Sequence, residues 1–333
     1  MLKNIFILIQ ISLCVTFSES REYRYDYKYY QQVEGWLKVH RVPAVWHDAR
    51  LRCQLEGAVL ASPTNARIST LFFFSFLMTP AIGGLSFPYL DTLLEAVVAG
   101  HFPSGIFTGV HATFSKGDYY SVDGIPLGRM PIKWAPGEPN NVENSEECLV
   151  LSSNGVKDVN CTDVHPYVCF KKKTGPIVHT ECGTIDPEYK LDTRTGKCYK
   201  THYVGRPWSR AFMACSAEGG YLAVINSEIE ATVLKDAFAR YPESKITGEI
   251  RNIASIGFHD WNERRVWTTI QGQSIQETGY TSFEKGQPDN APNGEYCGSI
   301  FRSGKLNDVW CYRNTPFICE KETDSLLVND YDY

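Results

Sequence analysis

The sequence lacks a basic surplus. Its 333 residues carry 33 Lys and Arg against 38 Asp and Glu, a net charge of −5. General affinity for a nucleic-acid backbone is therefore not expected, because that needs a concentrated basic face. Catalytic signatures are missing too. There is no His-Glu-x-x-His, no cysteine pair at zinc-finger spacing, no Gly-x-Ser-x-Gly elbow and no phosphate loop. The eight histidines are scattered, and His47 and His111 read as surface or core residues rather than ligands. Charged residues are few, at 21% against 43% hydrophobic, which excludes wholesale disorder.

Cysteine, by contrast, is abundant. Eleven cysteines point to an oxidising compartment. Lys3, an apolar run from Ile5 to Phe17 and small residues Ser18 and Ser20 read as a signal peptide over 1–20. Cys14 leaves with it, and ten cysteines remain for five disulfides. The run is short for a membrane span, so none is expected in the mature chain.

The remaining cysteines show a duplication. Cys53, Cys148, Cys161 and Cys169 are followed by Cys215, Cys297, Cys311 and Cys319 at near-matching intervals. Trp46 and Trp208 each stand seven residues before the first cysteine of their set, and Glu-Gly and Leu-Ala pairs follow in both copies. In the second copy Trp208, Ala211, Phe212 and Cys215 fall on one face of a helix. The second copy also has Cys182 and Cys198, which read as a clamp on an N-terminal hairpin. The division expected is a signal peptide 1–20, a leader 21–32, a first domain 33–171, a linker 172–181, a second domain 182–322 and a loose acidic tail 323–333.

One stretch, Leu71 to Leu90, is apolar without helical or alternating pattern. It is broken by Pro80, Gly83-Gly84 and Pro88, and reads as an insertion or as translated intron sequence rather than a span. A helical pattern resumes over Asp91–Ala99.

Before and between the second and third cysteines each copy repeats a further pattern. The first reads Trp134-Ala135-Pro136-Gly137-Glu138-Pro139-Asn140-Asn141, then Glu146-Glu147-Cys148, then Asp158-Val159-Asn160-Cys161. The second reads Phe283-Glu284-Lys285-Gly286-Gln287-Pro288-Asp289-Asn290, then Glu295-Tyr296-Cys297, then Asn307-Asp308-Val309-Trp310-Cys311. Each copy resembles a C-type lectin domain, and two in one secreted chain resemble the dual-domain lectins of insect immunity, the immulectins.

That resemblance implies an α+β fold for each domain, with two helices, small antiparallel sheets and a long calcium- and sugar-binding loop region. Phe107–Val110 and Ser255–Phe258 would be central strands. It implies the pairs Cys53–Cys169, Cys148–Cys161, Cys182–Cys198, Cys215–Cys319 and Cys297–Cys311. It also implies a cis proline in each tripeptide.

In the second domain Gln287, Asp289, Glu295, Asn307 and Asp308 would bind Ca2+, which takes six to eight oxygen ligands. Sugar hydroxyls would meet Gln287, Asp289, Glu295 and Asn307. In the family, Gln-Pro-Asp accompanies galactose-type sugars and Glu-Pro-Asn mannose-type ones. The first domain offers Glu138, Asn140, Glu146 and Asp158 as metal ligands, with Glu138, Asn140 and Glu146 for sugar. There Lys157 stands where asparagine is expected. Either it turns outward and calcium binds with fewer ligands, or its ammonium fills the cage.

Val156 and Leu306 replace a tryptophan that packs in the family, and no aromatic residue follows Asp289. The sequon Asn160-Cys161-Thr162 has a half-cystine at its centre. The reading is a secreted, extracellular, calcium-dependent lectin for microbial surface glycans. Its two domains, or homo-oligomers, would raise weak single-site affinity. The alternative is a calcium-independent, protein-binding member of the same fold. The acidic pairs are absorbed by calcium ligation, so an enzyme is not expected.

Overall fold

The computed structural model describes residues 23–64, 102, 104–152, 154–261, 263, 265–291 and 294–327. The expected signal peptide, the apolar stretch 71–90, the helical pattern at 91–99 and the end of the tail lie outside these residues.

The duplication is a duplication of sheets. In the first, β1 (Lys28–Tyr30), β2 (Gly35–Ala44), β8 (His165–Lys172), β4 (Ile106–His111), β6 (Glu146–Ser152) and β7 (Gly155–Asn160) lie side by side in that order. Short β3 (Val59–Leu60) pairs with β8, and β5 (Tyr120–Ser121) with β4. The second sheet has the same plan. It runs β9 (Lys190–Asp192), β10 (Lys197–Arg206), β16 (Thr315–Lys321), β12 (Ile253–His259), β14 (Glu295–Phe301) and β15 (Leu306–Trp310). Here β11 (Tyr221–Leu222) pairs with β16 and β13 (Thr268–Thr269) with β12. All pairings are antiparallel except β4 with β8 and β12 with β16. The strands read as central, β4 and β12, are buried nearly throughout.

Helix α1 (Trp46–Leu55) packs on the first sheet and α2 (Trp208–Ala217) on the second. Each is pinned by its tryptophan. The indole of Trp46 donates to Thr108 O at 2.8 Å and that of Trp208 to Ile256 O at 2.9 Å, so each helix start is tied to a central strand. Gly57 and Gly219, both at φ +78°, follow the helix ends, where the left-handed conformation closes the last turn. The second domain adds α3 (Glu228–Ala239), capped by Ser227, which accepts from Glu230 N at 3.1 Å. It also has the short α4 (Ile275–Thr278), which opens with a capping box of Ser274 and Glu277. Among the described residues no helix is long and apolar enough to cross a membrane.

One expectation about α2 fails. Its buried residues are Trp208, Ala211, Ala214, Cys215 and Ala217, whereas Phe212 is 42% exposed. Small residues let this helix lie close to the sheet, which turns Phe212 outward to stack on Trp208 at 5.8 Å. The replacements of tryptophan, Val156 and Leu306, are both buried in the cores.

Five disulfides are formed, Cys53–Cys169, Cys148–Cys161, Cys182–Cys198, Cys215–Cys319 and Cys297–Cys311. The leader joins the first sheet through β1, and Trp36, paired there with Tyr29, holds the place that Cys198, paired with Leu191, holds in the second. Tyr23 and Tyr29 pack on Trp36 with ring centres 5.8 and 5.1 Å away, so aromatic burial stands where the other domain has a disulfide.

Each domain also buries a carboxylate in the same place. Glu56 accepts from Tyr27 at 2.7 Å and Lys38 at 2.9 Å, with His40 at 3.1 Å. Glu218 accepts from Tyr189 at 2.9 Å and Lys200 at 2.8 Å, with His202 at 3.0 Å. Burial opposes the charge on both, but the neighbouring histidine and lysine hold both carboxyls below the usual range.

The domains touch. Helices α1 and α2 lie against each other, with Asp48 paired to Arg210. Arg24 donates to Ala217 O at 2.8 Å and Tyr25 N to Leu326 O at 3.1 Å. The tail, expected to be loose, instead folds back through Leu327. Leu326 is 4% exposed and Ser325 donates to Gly219 O at 2.6 Å, because the seam between the domains offers apolar surface to cover.

Candidate functional site

In the second domain the candidate ligands converge on the end of the β14–β15 hairpin. The loop before it is anchored to β15, since Glu284 N donates to Leu306 O and Leu306 N to Ser282 O, both at 2.9 Å. The Gln287–Pro288 peptide is cis. Asp308 lies on β15 and its carboxylate takes Asp289 N at 3.3 Å and Asn290 N at 2.8 Å. Glu295 opens β14 and accepts from Ala291 N at 3.0 Å, while Gln287 Oε1 accepts from Asp289 N at 3.1 Å. The loop is thus folded onto the side chains that would hold the ion.

Carboxylate oxygens of Asp289, Glu295 and Asp308 all lie within 4.8 Å of one another. Asp289 is exposed; Glu295 and Asp308 are buried. Burial, reinforced by Asp308 and Asp289, pushes the Glu295 carboxyl up to about 7. Burial also raises Asp308, with Asp289 adding to the rise. Three acids packed this closely repel one another, and a cation would relieve that repulsion. An all-oxygen donor set of carboxylates and amide carbonyls suits calcium rather than a soft metal. Asn307 sends its amide NH2 inward to Ser299 Oγ at 2.9 Å and to Asp308 O. Its carbonyl oxygen is left as the atom it can offer a cation.

Two other clusters of potential metal-binding groups, His40–Glu56–Cys169 and His202–Glu218–Cys319, are of a different kind. Their cysteines are locked in disulfides and their acids are already paired.

The first domain builds the same loop. Glu138–Pro139 is cis. Asp158 takes Asn140 N at 3.1 Å and Asn141 N at 2.9 Å, and Glu146 takes Val142 N at 2.8 Å. Glu138 accepts from Asn140 N at 3.2 Å, and its carboxyl is raised by desolvation and by Asp158. What differs is charge. Glu138 and Asn140 replace Gln287 and Asp289 with no net change, and Lys157, half-buried on β7, replaces Asn307 and adds one positive charge. Among the described residues no ion pair joins Lys157 to Glu138, Glu146 or Asp158.

Two residues escaped sequence reasoning. Asn290, at φ +51°, accepts from Gly294 N at 2.9 Å and Glu295 N at 3.1 Å, locking the loop onto β14. Asn141, at φ +44°, accepts from Glu146 N at 3.2 Å in the same way. The signal was present: asparagine recurs at one place in both copies, and it tolerates the left-handed region better than most residues. The remaining histidine and sequon readings are simple. His111 is buried, its ring 4.7 Å from that of Trp46 and its Nδ1 2.8 Å from Thr113 Oγ1. His47 lies edge-on to Trp46. Cys161 of the sequon is bonded to Cys148.

Similarities to known proteins agree with this architecture. A hemolymph lipopolysaccharide-binding protein of Periplaneta americana is 39% identical over 145 residues, which is 43% of this chain and 56% of that protein. A C-type mannose receptor 2 of Mus musculus is 26% identical over 291 residues, 83% of this chain and 17% of the receptor. The chain thus spans from about a sixth to about half the length of these relatives. The carbohydrate-recognition domain of the mouse scavenger receptor C-type lectin is 28% identical, with a TM-score of 0.35. The match covers 41% of this chain and 97% of that domain. The family described as the lectin C-type domain matches residues 42–171 and again 204–321. The chain therefore belongs to the C-type lectin family, with two of its domains in tandem.

Proposed function

We propose that the protein is a secreted, calcium-dependent carbohydrate-binding protein that recognises microbial surface glycans in innate immunity. The observation that carries this reading is the cluster of Asp289, Glu295 and Asp308, with three carboxylates within 4.8 Å and a raised Glu295. The hemolymph relative, named for binding lipopolysaccharide, supports the setting.

Gln287, Asp289, Glu295, Asn307 and Asp308 hold the ion in this reading. Bound calcium offers open coordination positions to two vicinal sugar hydroxyls. The protein supplies the rest. Asp289 and Glu295 accept hydrogen bonds from those hydroxyls, and amide NH2 groups of the site can only donate. Having the acid at 289 and the amide at 287 favours galactose-type sugars. Glu138 and Asn140 reverse that arrangement in the first domain and favour mannose-type ones.

The test is a glycan array of the intact protein with calcium and with chelator. Chelator-sensitive binding of galactose-type glycans is expected. Binding that persists in chelator, or none at all, would overturn the calcium-dependent reading. Lys157 favours a second reading for the first domain alone, as a calcium-independent protein-binding module. Retention of a protein ligand in chelator, lost when the first domain is altered, would support it.

A further inference from the structure

The seam between the two domains encloses a cleft of about 390 Å³. This lies within the size range of small-molecule sites. One part of its wall is apolar. Leu51 and Leu55 come from α1, Ile185 from the hairpin of the second domain, and Leu326 from the tail. Each domain supplies only part of this wall, so the cleft is a product of docking.

The polar part of the wall is unevenly satisfied. Glu56 is committed to Tyr27, Lys38 and His40, and Glu218 to Tyr189, Lys200 and His202. Asp186 is paired with Lys200 at 2.6 Å. Arg24 is held by Asp26 and by Ala217 O. Arg206, at the end of β10, is the exception. It lines the cleft half-buried, and among the described residues it has no ion pair and no side-chain hydrogen bond. Burial and the nearby Arg210 both disfavour its charge, only partly offset by Glu218. Behind the wall Lys321 is buried too. It donates to Cys182 O at 2.7 Å, and burial together with Arg24 pushes its ammonium down to about 8. The three cations and three carboxylates of the lining balance in number, but the carboxylates are engaged by other groups and Arg206 is left without an ion pair among the described residues. Half-buried charge without a partner is costly, and an anion seated beside Arg206 would remove that cost.

We propose that this cleft is a calcium-independent binding site for a small amphiphilic anion, one carboxylate or phosphate group carried on a single apolar chain. The head group pairs with Arg206, and the chain lies along Leu51, Leu55, Ile185 and Leu326. The guanidinium fork suits either head group, since both present two oxygens to it. The site is separate from the loops at Asp289 and Asn140, so its occupancy neither needs nor excludes sugar.

The test is titration calorimetry on the intact protein in chelator, with dodecanoate and with dodecyl phosphate, each below its micellar concentration. One molecule per chain is expected. Arg206→Ala should weaken both probes at least tenfold, and Arg206→Lys should restore part of the loss. The first domain has Ala44 at the corresponding strand end, so alanine suits the backbone there. Near-UV circular dichroism of each variant reports that the fold is kept. The relative affinity of the two probes distinguishes a carboxylate from a phosphate ligand. Three results would overturn the proposal: no binding of either probe, an Arg206→Ala effect under threefold, or equally tight binding of the cationic dodecyltrimethylammonium. Inorganic phosphate binding as tightly as dodecyl phosphate would also overturn it, because the apolar wall would then contribute nothing.

Discussion

The two domains share a frame and differ in what the frame holds. Strand order, the tryptophan tie of the first helix, the cis-proline loop and the buried Glu–Lys–His–Tyr group recur in both. At the loop tip the second domain gathers three acids, while the first has an asparagine at one of those places and a lysine where the second has Asn307. Backbone hydrogen bonds to Asp158 and Asp308 are nearly the same in the two. Loop shape is thus set by main-chain amides and a single buried aspartate. Cation chemistry is set by side chains that can change without moving the backbone.

The likeness of the two frames is most severely tested at Glu56 and Glu218. Changing either to Ala removes the shared acceptor of a buried tyrosine, histidine and lysine. Each should cost its own domain about 3–5 kcal/mol, read from the urea midpoint of that domain's transition. A loss in one domain only would show that the repeated group is not equivalent in the two. Acid should act in the same sense. Both carboxyls titrate lower folded than unfolded, so their contribution is full above about pH 4.5 and is lost as pH falls through the folded value.

Next in size is the contrast between a disulfide and an aromatic group. Replacing Cys182 and Cys198 together by Ala opens a loop of 16 residues and should cost about 3 kcal/mol. Trp36→Ala, at the matching place, should cost at least as much, since large aromatic truncations run about 3–5 kcal/mol. Thermal melts of the two variants check this, and a Trp36→Ala protein as stable as the parent would break the equivalence.

The difference in chemistry should be visible in Asp289→Ala with Asn307→Ala. Retention on a galactose resin should fall at least a hundredfold, about 2.7 kcal/mol, while all five disulfides remain. Loss of near-UV signal in that variant, in chelator, would mean the two residues hold the fold.

The smallest effect expected is at Lys157. Lys157→Asn removes one positive charge and adds one carbonyl oxygen, so calcium affinity of the first domain should rise about tenfold, or about 1.4 kcal/mol. Calorimetry of the intact protein should then show two sites of closer affinity than in the parent. A change under threefold would mean that Lys157 already stays clear of the ion, and the ranking of the two domains would lose its support.

Much of this architecture was legible in the sequence because it repeats. Cysteine intervals, the Trp46 and Trp208 helices and the two tripeptides are local patterns, and each appears twice. What escaped depends on long-range packing. Phe212 fits the apolar phase of its helix, yet small residues decide which side lies on the sheet. The leader reads as a tyrosine- and charge-rich stretch, but its Tyr23 and Tyr27 pack with Trp36 in the core of the first domain. The part played by Asn290 needs a left-handed backbone that no residue count reveals. The cleft is invisible in sequence, since its walls come from segments more than a hundred residues apart.

The contact between Tyr25 and Leu326 has a topological consequence. The chain leaves the second domain where it entered the first, so the path is almost a closed ring. Every disulfide lies within one domain and none crosses the linker. A short peptide could therefore join the residues around 23 and 327, with the ring cut open near 175. In such a permuted protein the present second domain would be made first and the present first domain second, with the seam between them unchanged. The contact between Tyr25 and Leu326 thus makes the arrangement of the two domains compatible with either order along a chain.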